Sequence, residues 1–291
     1  MLGVIGDLVQ DVVVWQLEDA RPATDTASEI HTQRGGQAAN VAAFAGPRYP
    51  TRFIGCVGDD LTGETLGRTL RELGVDVRTQ VRGSTGTIVV IVGPDGERAM
   101  YPSRGAAALL QPVDPTWLAG IELLHVPAYG LIGGSTPEAV QGAIQQVRAN
   151  GGSVSIDVSS AGLIAGVGVQ RFLELLERCA PDFVSANRDE CLLLGLADGD
   201  VPGPNLPRLG DAVLLARTGA DPTRVYRAGA LVASVPVPPV SEVRDLTGAG
   251  DAFMAGFLVD CLQRGWDPIG NVEAAHALAR RVIVNAGATE R

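Results

Sequence analysis

The sequence predicts an α/β protein with a mostly parallel central sheet, and three observations carry that expectation. From Leu123 onward, short apolar runs alternate with segments of helical period. Early strand-like pieces and a hairpin-like segment break the alternation and call for a second, smaller sheet. The composition, 291 residues with 46% hydrophobic, 4% aromatic and 37 Gly, supplies small apolar side chains for helices packed tightly on a sheet.

Leu2–Ile5 and Val12–Trp15 are predicted as short strands separated by a turn-prone Gly6-Asp7. Thr24 to Gln33 is polar and irregular or weakly alternating. Ala38 to Ala45 reads as a small-residue helix opening after Gly35-Gly36. Arg52–Val57 is a strand, and Thr62 to Leu73 a helix with Leu66, Leu70 and Leu73 at helical spacing and Gly74 as its stop. Thr87–Val92 and Arg98–Tyr101 flank Pro94-Asp95-Gly96, a hairpin signal. The alternation follows: strand Leu123–Val126, helix Pro137–Ala149, strand Ser153–Asp157, helix Phe172–Cys179, strand Phe183–Ala186, helix Asp189–Leu194 and strand Ala212–Arg217. Asp198–Pro207 is expected as a surface loop, and Tyr226–Val235 as a final hairpin. Helices over Ala249–Arg264 and Asn271–Asn285 close the chain. The order implies a parallel sheet covered on both faces.

Composition narrows the partners. The net charge is −10, and all 23 basic residues are Arg, with no Lys in the chain. An acidic surface argues against nucleic acid and anionic membrane, and leaves anionic substrates to local Arg or backbone N–H groups. Cys56, Cys179, Cys191 and Cys261 lack metal-type spacing and read as reduced packing residues. Asp7 and Asp11 interrupt the apolar N-terminus, no run is long enough to span a bilayer, and the expected compartment is the cytoplasm.

Asp245-Leu-Thr-Gly-Ala-Gly-Asp251 leads into the helix from Ala252. The small residues Gly248, Ala249 and Gly250 let backbone N–H groups converge at a helix N-terminus, where the dipole adds positive charge: a phosphate cradle. Asp251, at the same helix start, can take a proton from an attacking hydroxyl. Phosphoryl transfer needs this combination of positioning and charge stabilisation. The structural alternative is a tight turn with an acid in the first helical turn.

Gly35-Gly36-Gln37-Ala-Ala-Asn40 offers close backbone approach and an Asn able to bond a sugar hydroxyl. Asn187-Arg-Asp-Glu190 follows a strand, where hard oxygen ligands suit a magnesium–phosphate group; equally, it has the spacing of a helix capping box. Arg217-Thr218-Gly219-Ala220 is a turn that a nucleotide could contact. Arg98 and Arg104 flank the hairpin strand, either as surface charge or as forks for a phosphate. His31, His125 and His276 share no spacing; His276 is a candidate neighbour of adenine. The first strand ends in Gly6-Asp7 rather than GxGxxG, and no Walker A sequence occurs, which sets aside a Rossmann oxidoreductase and a P-loop.

These four segments, in this order, resemble the ribokinase-like (PfkB) family of carbohydrate and nucleoside kinases over nearly the whole chain. The resemblance implies a three-layer α/β/α fold in a single domain over 1–291, with a small β-sheet lid on segments near 11–34 and 84–104 that often forms a homodimer contact. It implies ATP-dependent phosphorylation of a primary hydroxyl of a sugar or nucleoside, with Asp251 as base and Gly248–Gly250 as anion hole. Asp11, Gly35, Gly36, Gln37, Asn40 and Arg104 are then candidates for substrate binding. Asn187, Glu190, Thr218, Gly219 and His276 are candidates for the nucleotide side, with Mg2+ on Glu190 through water. A monovalent cation such as K+ is expected near Asp245 and Ala286–Ala288. Two departures stand out. Asp221-Pro222 replaces a second Gly after the nucleotide turn, and no acid lies in Leu123–Tyr129, where ribose-specific members carry Glu. A nucleoside kinase and a non-catalytic sugar-binding protein of the same fold are the alternatives.

Overall fold

The computed structural model describes residues 1–95, 97–285 and 287–290. The expected turn residue Gly96, Ala286 of the expected cation segment and the terminal Arg291 lie outside the described residues. In chain order the elements are β1 (Leu2–Ile5), β2 (Val9–Gln16), β3 (Ser28–Gly35), α1 (Gln37–Ala45), β4 (Thr51–Val57), α2 (Leu61–Glu72), β5 (Asp76–Val81), β6 (Thr85–Val92) and β7 (Arg98–Gly105). They continue with β8 (Leu123–Pro127), α3 (Thr136–Ala149), β9 (Ser153–Asp157), α4 (Ala161–Val167), α5 (Val169–Cys179), β10 (Phe183–Asn187) and α6 (Arg188–Leu194). Last come β11 (Ala197–Asp198), β12 (Val201–Pro202), β13 (Val213–Thr218), β14 (Asp221–Arg227), β15 (Ala230–Val235), α7 (Ala249–Arg264) and α8 (Gly270–Ile283).

The central sheet has nine strands in the order β15-β14-β13-β10-β9-β8-β1-β4-β5. Pairings from β13 through β5 are parallel, and β14 and β15 extend one edge in antiparallel fashion. Strands buried on both faces explain the apolar run of β1, and in β8 the run admits only His125, which is bonded to Ser155 Oγ. Alternate residues feed two cores. Ile5, Ile54 and Leu214 pack with Val140, Ile144, Phe172 and Leu176 from α3 and α5. Val4, Phe53 and Leu215 pack with Leu66, Leu70, Phe253, Phe257 and Leu278, so α1, α2, α7 and α8 cover the other face. This is the expected three-layer arrangement.

A separate four-stranded sheet has the order β3-β2-β6-β7. Two antiparallel hairpins, β2–β3 and β6–β7, are joined through a parallel β2–β6 seam. It contains the two segments that the sequence set apart, and the polar stretch before Gln33 becomes strand β3.

Other expectations need correction. β5 was not expected, because its half-exposed sequence DVRTQV lacks the apolar run of an interior strand; it lies on the sheet's edge. α4 was also missed: its seven residues show no helical stripe, and Ser160 caps it by accepting from Leu163 N. The expected loop over Asp198–Pro207 holds the two-stranded ribbon β11–β12 and a buried Leu206. The final hairpin starts earlier, at Asp221, so Pro222 stands near the entrance of a strand.

Candidate active site

The C-terminal ends of the parallel strands, where open α/β sheets bind ligands, gather the candidate chemistry. α7 begins after Gly248, whose φ of 78° places it in the left-handed region, and no side chain caps the helix. Glycine is needed there twice over, since a Cβ would strike Ala288 at 2.5 Å. The N–H groups of Gly250 and Asp251, in the first turn of this 16-residue helix, therefore lie at the positive end of its dipole without a side-chain cap. Asp251, in the first turn, accepts a hydrogen bond of 2.8 Å from Asn40 Nδ2 on α1. That bond joins the two glycine-led helix starts that the sequence singled out.

Asp251 is part-exposed at the cleft floor, but its carboxyl is crowded by protein, and burial pushes its pKa up to about 7. The Asn40 bond opposes the shift, Asp157 reinforces it, and Arg217 and Arg34 oppose it from two sides. A carboxylate with this pKa suits proton abstraction near neutrality.

On the α1 side, Gly36 has φ 96°, and a Cβ on Gly35 would collide with the Asp11 carboxylate. Asp11 Oδ1, Gln37 Oε1 and Arg34 Nε are buried without hydrogen-bond partners. Burial raises the Asp11 pKa to about 6, against the pull of Arg34. Among the described residues Arg34 makes only long contacts from Nη2, 3.3 Å to Asn40 Oδ1 and 3.4 Å to the Ala288 carbonyl. Orphaned buried donors and acceptors of this kind are sites for a ligand or water. Arg104 is committed elsewhere: it holds both Asp7 oxygens at 2.7 Å and donates to the Ile132 carbonyl. Neither it nor Arg98 is free surface charge.

On the other side, Asp157 ends β9 and pairs with Arg217 at 2.9 Å. Arg217 lies against Gly250, where a Cβ would meet its guanidinium, and stands 5.9 Å over the Phe253 ring. The sequence reading named neither Asp157, Arg217 nor Arg34 as site residues. Two signals were present: Arg34 adjoins Gly35, and Arg217 opens the turn already singled out. Asn187 and Glu190 form the capping box the spacing allowed, with Glu190 oxygens accepting from Asn187 N at 2.7 Å and Nδ2 at 2.8 Å. Burial, with Asp157 adding to it, raises the Glu190 pKa to about 7. Thr218 bonds the Pro222 carbonyl at 2.9 Å, and Gly219 turns with φ 67°. His276 is 4% exposed and bonded to Thr223 at 2.9 Å, which leaves adenine almost no surface to touch.

The metal expectations divide. Among the described residues no cluster of three His, Cys, Asp or Glu side chains forms a metal site. Glu190 and Asp157 nevertheless place two interacting carboxylates beside the cradle. Glu190 is 1% exposed with both oxygens accepting from Asn187, so any part it takes toward magnesium would run through water and not by direct ligation. At Asp245, among the described residues, an arginine stands where a monovalent cation was expected. Its Oδ1 accepts from Arg98, Thr247 N and Thr247 Oγ1, and its Oδ2 from Gly287 N. Burial works against ionisation there, yet the Thr247 and Gly287 amides, with Arg98, hold the carboxyl below its usual value.

A carboxylate with a raised pKa, an uncapped helix N-terminus and flanking guanidinium groups form a site suited to phosphoryl transfer. A family model described as pfkB family carbohydrate kinase matches residues 1–291. The chain belongs to the pfkB family of carbohydrate kinases, ATP-dependent phosphotransferases. It is 30% identical to aminoimidazole riboside kinase of Salmonella typhimurium, over 94% of this chain and 86% of that protein. It is 31% identical to a fructokinase of Klebsiella pneumoniae, over 90% and 84%. Among solved structures, adenosine kinase from Sinorhizobium meliloti superposes with a TM-score of 0.84 at 23% identity, covering 99% of this chain and 94% of that one. A putative ribokinase II from E. coli in complex with ATP and Mg2+ gives 0.83 at 23%, over 99% and 94%.

Proposed function

We propose that this chain phosphorylates a primary hydroxyl of a free sugar or nucleoside, with Asp251 as the catalytic base. The observation that carries the reading is the Asp251 carboxylate at the start of α7, bonded to Asn40 and standing between Arg34 and Arg217. The acceptor lies against Asp11, Gly35, Gly36, Gln37 and Asn40, where unpaired polar atoms await hydroxyl groups. Its hydroxyl proton passes to Asp251 as the oxygen attacks the γ-phosphorus of ATP. An O–P bond forms, the bond to the β–γ bridging oxygen breaks, and ADP leaves. The N–H groups at Gly250 and Asp251 and the Arg217 guanidinium stabilise charge on the transferring oxygens. Magnesium is the proposed metal; when bound it offsets phosphate charge, and Glu190 and Asp157 hold its water shell.

We also read residues 1–291 as one catalytic domain with the four-stranded sheet as its lid. In that sheet Asp11, Val13, Ile88 and Val90 share one face by register, leaving Val12, Val14, Ile30, Val89, Ile91 and Tyr101 on the other. The second, apolar face is the proposed contact between two copies. The names of the relatives favour a furanose-shaped acceptor, free or nucleoside-linked. A coupled ADP-release assay over ribose, fructose, ketohexose phosphates, adenosine, pseudouridine and aminoimidazole riboside tests the function. Turnover with one acceptor and its loss in Asp251→Asn is expected; tight acceptor binding with no ATP consumption would instead establish a non-catalytic sugar-binding protein.

A further inference from the structure

We infer that Arg98 supplies at Asp245 the positive charge that a monovalent cation would otherwise bring, so that the small sheet itself, rather than an ion, sets the loop ahead of the phosphate cradle. The inference rests on the kinase reading of that cradle. Arg98 opens β7, and its guanidinium reaches across 147 residues of sequence to Asp245 Oδ1 at 3.0 Å. A second N–H bonds Thr247 Oγ1 at 3.0 Å, one residue before Gly248. An ionised carboxylate offers about four lone-pair sites. In Asp245, Oδ1 takes three donors, the Arg98 guanidinium and the Thr247 amide and hydroxyl, and Oδ2 takes one, the Gly287 amide. An ion on Oδ1 would have to displace the guanidinium, and an ion on the open side of Oδ2 would stand against the positive charge already fixed on the same carboxylate. The side chain of Asp245 is 10% exposed and that of Arg98 39%, so the carboxylate is shielded while the arginine arrives from the solvent side. Guanidinium is weakly hydrated and presents two parallel N–H groups, which suits a planar fit to Asp245 and Thr247.

Two consequences follow. The positive charge reaches Asp245 only when the small sheet is seated, so seating of that sheet and ordering of the 245–247 loop are one event. The chain also needs no dissolved cation for that order. Arg98 is thus a positioning residue, acting through Asp245 and Thr247.

The test uses the full chain at constant ionic strength in KCl, NaCl or tetramethylammonium chloride, with melting temperature and turnover as separate readouts. The wild type should show the same melting temperature and the same kcat in all three salts. Arg98→Ala should lower kcat roughly tenfold or more with a smaller change in ATP KM, the scale of a lost charge-assisted bond. It should also acquire a melting temperature and kcat that rise selectively with K+ or with added guanidinium ion. Arg98→Lys should retain most of the activity and remain indifferent to the salt. A K+-selective rise in the wild-type melting temperature overturns the inference, and so does Arg98→Ala with full kcat in tetramethylammonium. Failure of every acceptor to turn over would count against the kinase reading alone, because the melting series decides this point without activity. Should Arg98→Ala not fold, the wild type and Arg98→Lys still decide it.

Discussion

The two helix starts at Gln37 and Ala249 meet through one hydrogen bond, Asn40 to Asp251, yet the carboxylates around them are furnished in different ways. Around α1, Asp11 Oδ1, Gln37 Oε1 and Arg34 Nε are buried with nothing to bond. Around α7, the carboxylates of Asp157, Glu190 and Asp245 each have partners within the protein, while Arg217 Nε is buried without one. On the proposed reading, the carboxylates of the phosphate side are held in advance, and the acceptor side carries an unpaired carboxylate oxygen that a ligand hydroxyl would complete. Unpaired buried polar groups cost stability, so a mismatched acceptor that leaves them unpaired binds poorly.

The largest expected effect breaks the contrast at its centre. Asp251→Asn should lower kcat by about 10²–10⁴-fold with little change in either KM, measured by ADP release. On the phosphate side, Arg217→Ala should lower kcat by about 10²–10³-fold while acceptor KM holds. It also strands the Asp157 carboxylate, so adding Asp157→Asn should recover melting temperature without recovering turnover. On the acceptor side, Gly35→Ala drives a Cβ into Asp11 and should raise acceptor KM about tenfold or more, roughly 1.4 kcal/mol, with ATP KM unchanged. Equal effects of Gly35→Ala on both KM values would erase the division of labour.

The smallest effect concerns protons. Because burial raises the Asp251 pKa to about 7, kcat should climb with pH through that region as the base ionises. Asn40→Ala removes a bond that favours the ionised form, so the acid limb should move to higher pH. The stability sign is fixed by the same shift. The folded pKa lies above the unfolded one, so ionisation of Asp251 disfavours the fold as pH rises from about 4 to 7. Asp251→Asn should therefore melt higher than the wild type at pH 8, with the gap closing as pH falls toward 4, followed by scanning calorimetry.

The site was legible where its chemistry is local. Gly248, Gly250 and Asp251 occupy one helix start, and Asn187 with Glu190 another, so spacing marks them as candidates, with a tight turn and a capping box as the structural alternatives. Asp157, Arg217 and Arg98 were legible as residues but not as neighbours, because each pairs with a group delivered by a distant segment of chain. Arg104 shows the same limit: nothing in its own segment reveals that Asp7 holds it. The parallel layer was readable from buried apolar runs. β5 and β3 were not, since edge strands with half-exposed polar residues carry neither an apolar run nor clean alternation.

The seam between β2 and β6 sets an order of assembly. Gln10 stands opposite Thr87 there, while α1, β4, α2 and β5 all intervene in the chain. Either hairpin alone is a two-stranded piece of marginal stability. The small sheet can form only after the intervening elements have folded against the core and brought both excursions to one place. Its amides should exchange with solvent sooner than those of β1 and β8. Damage to α2 or β5 would then dismantle the acceptor pocket without touching any residue that lines it.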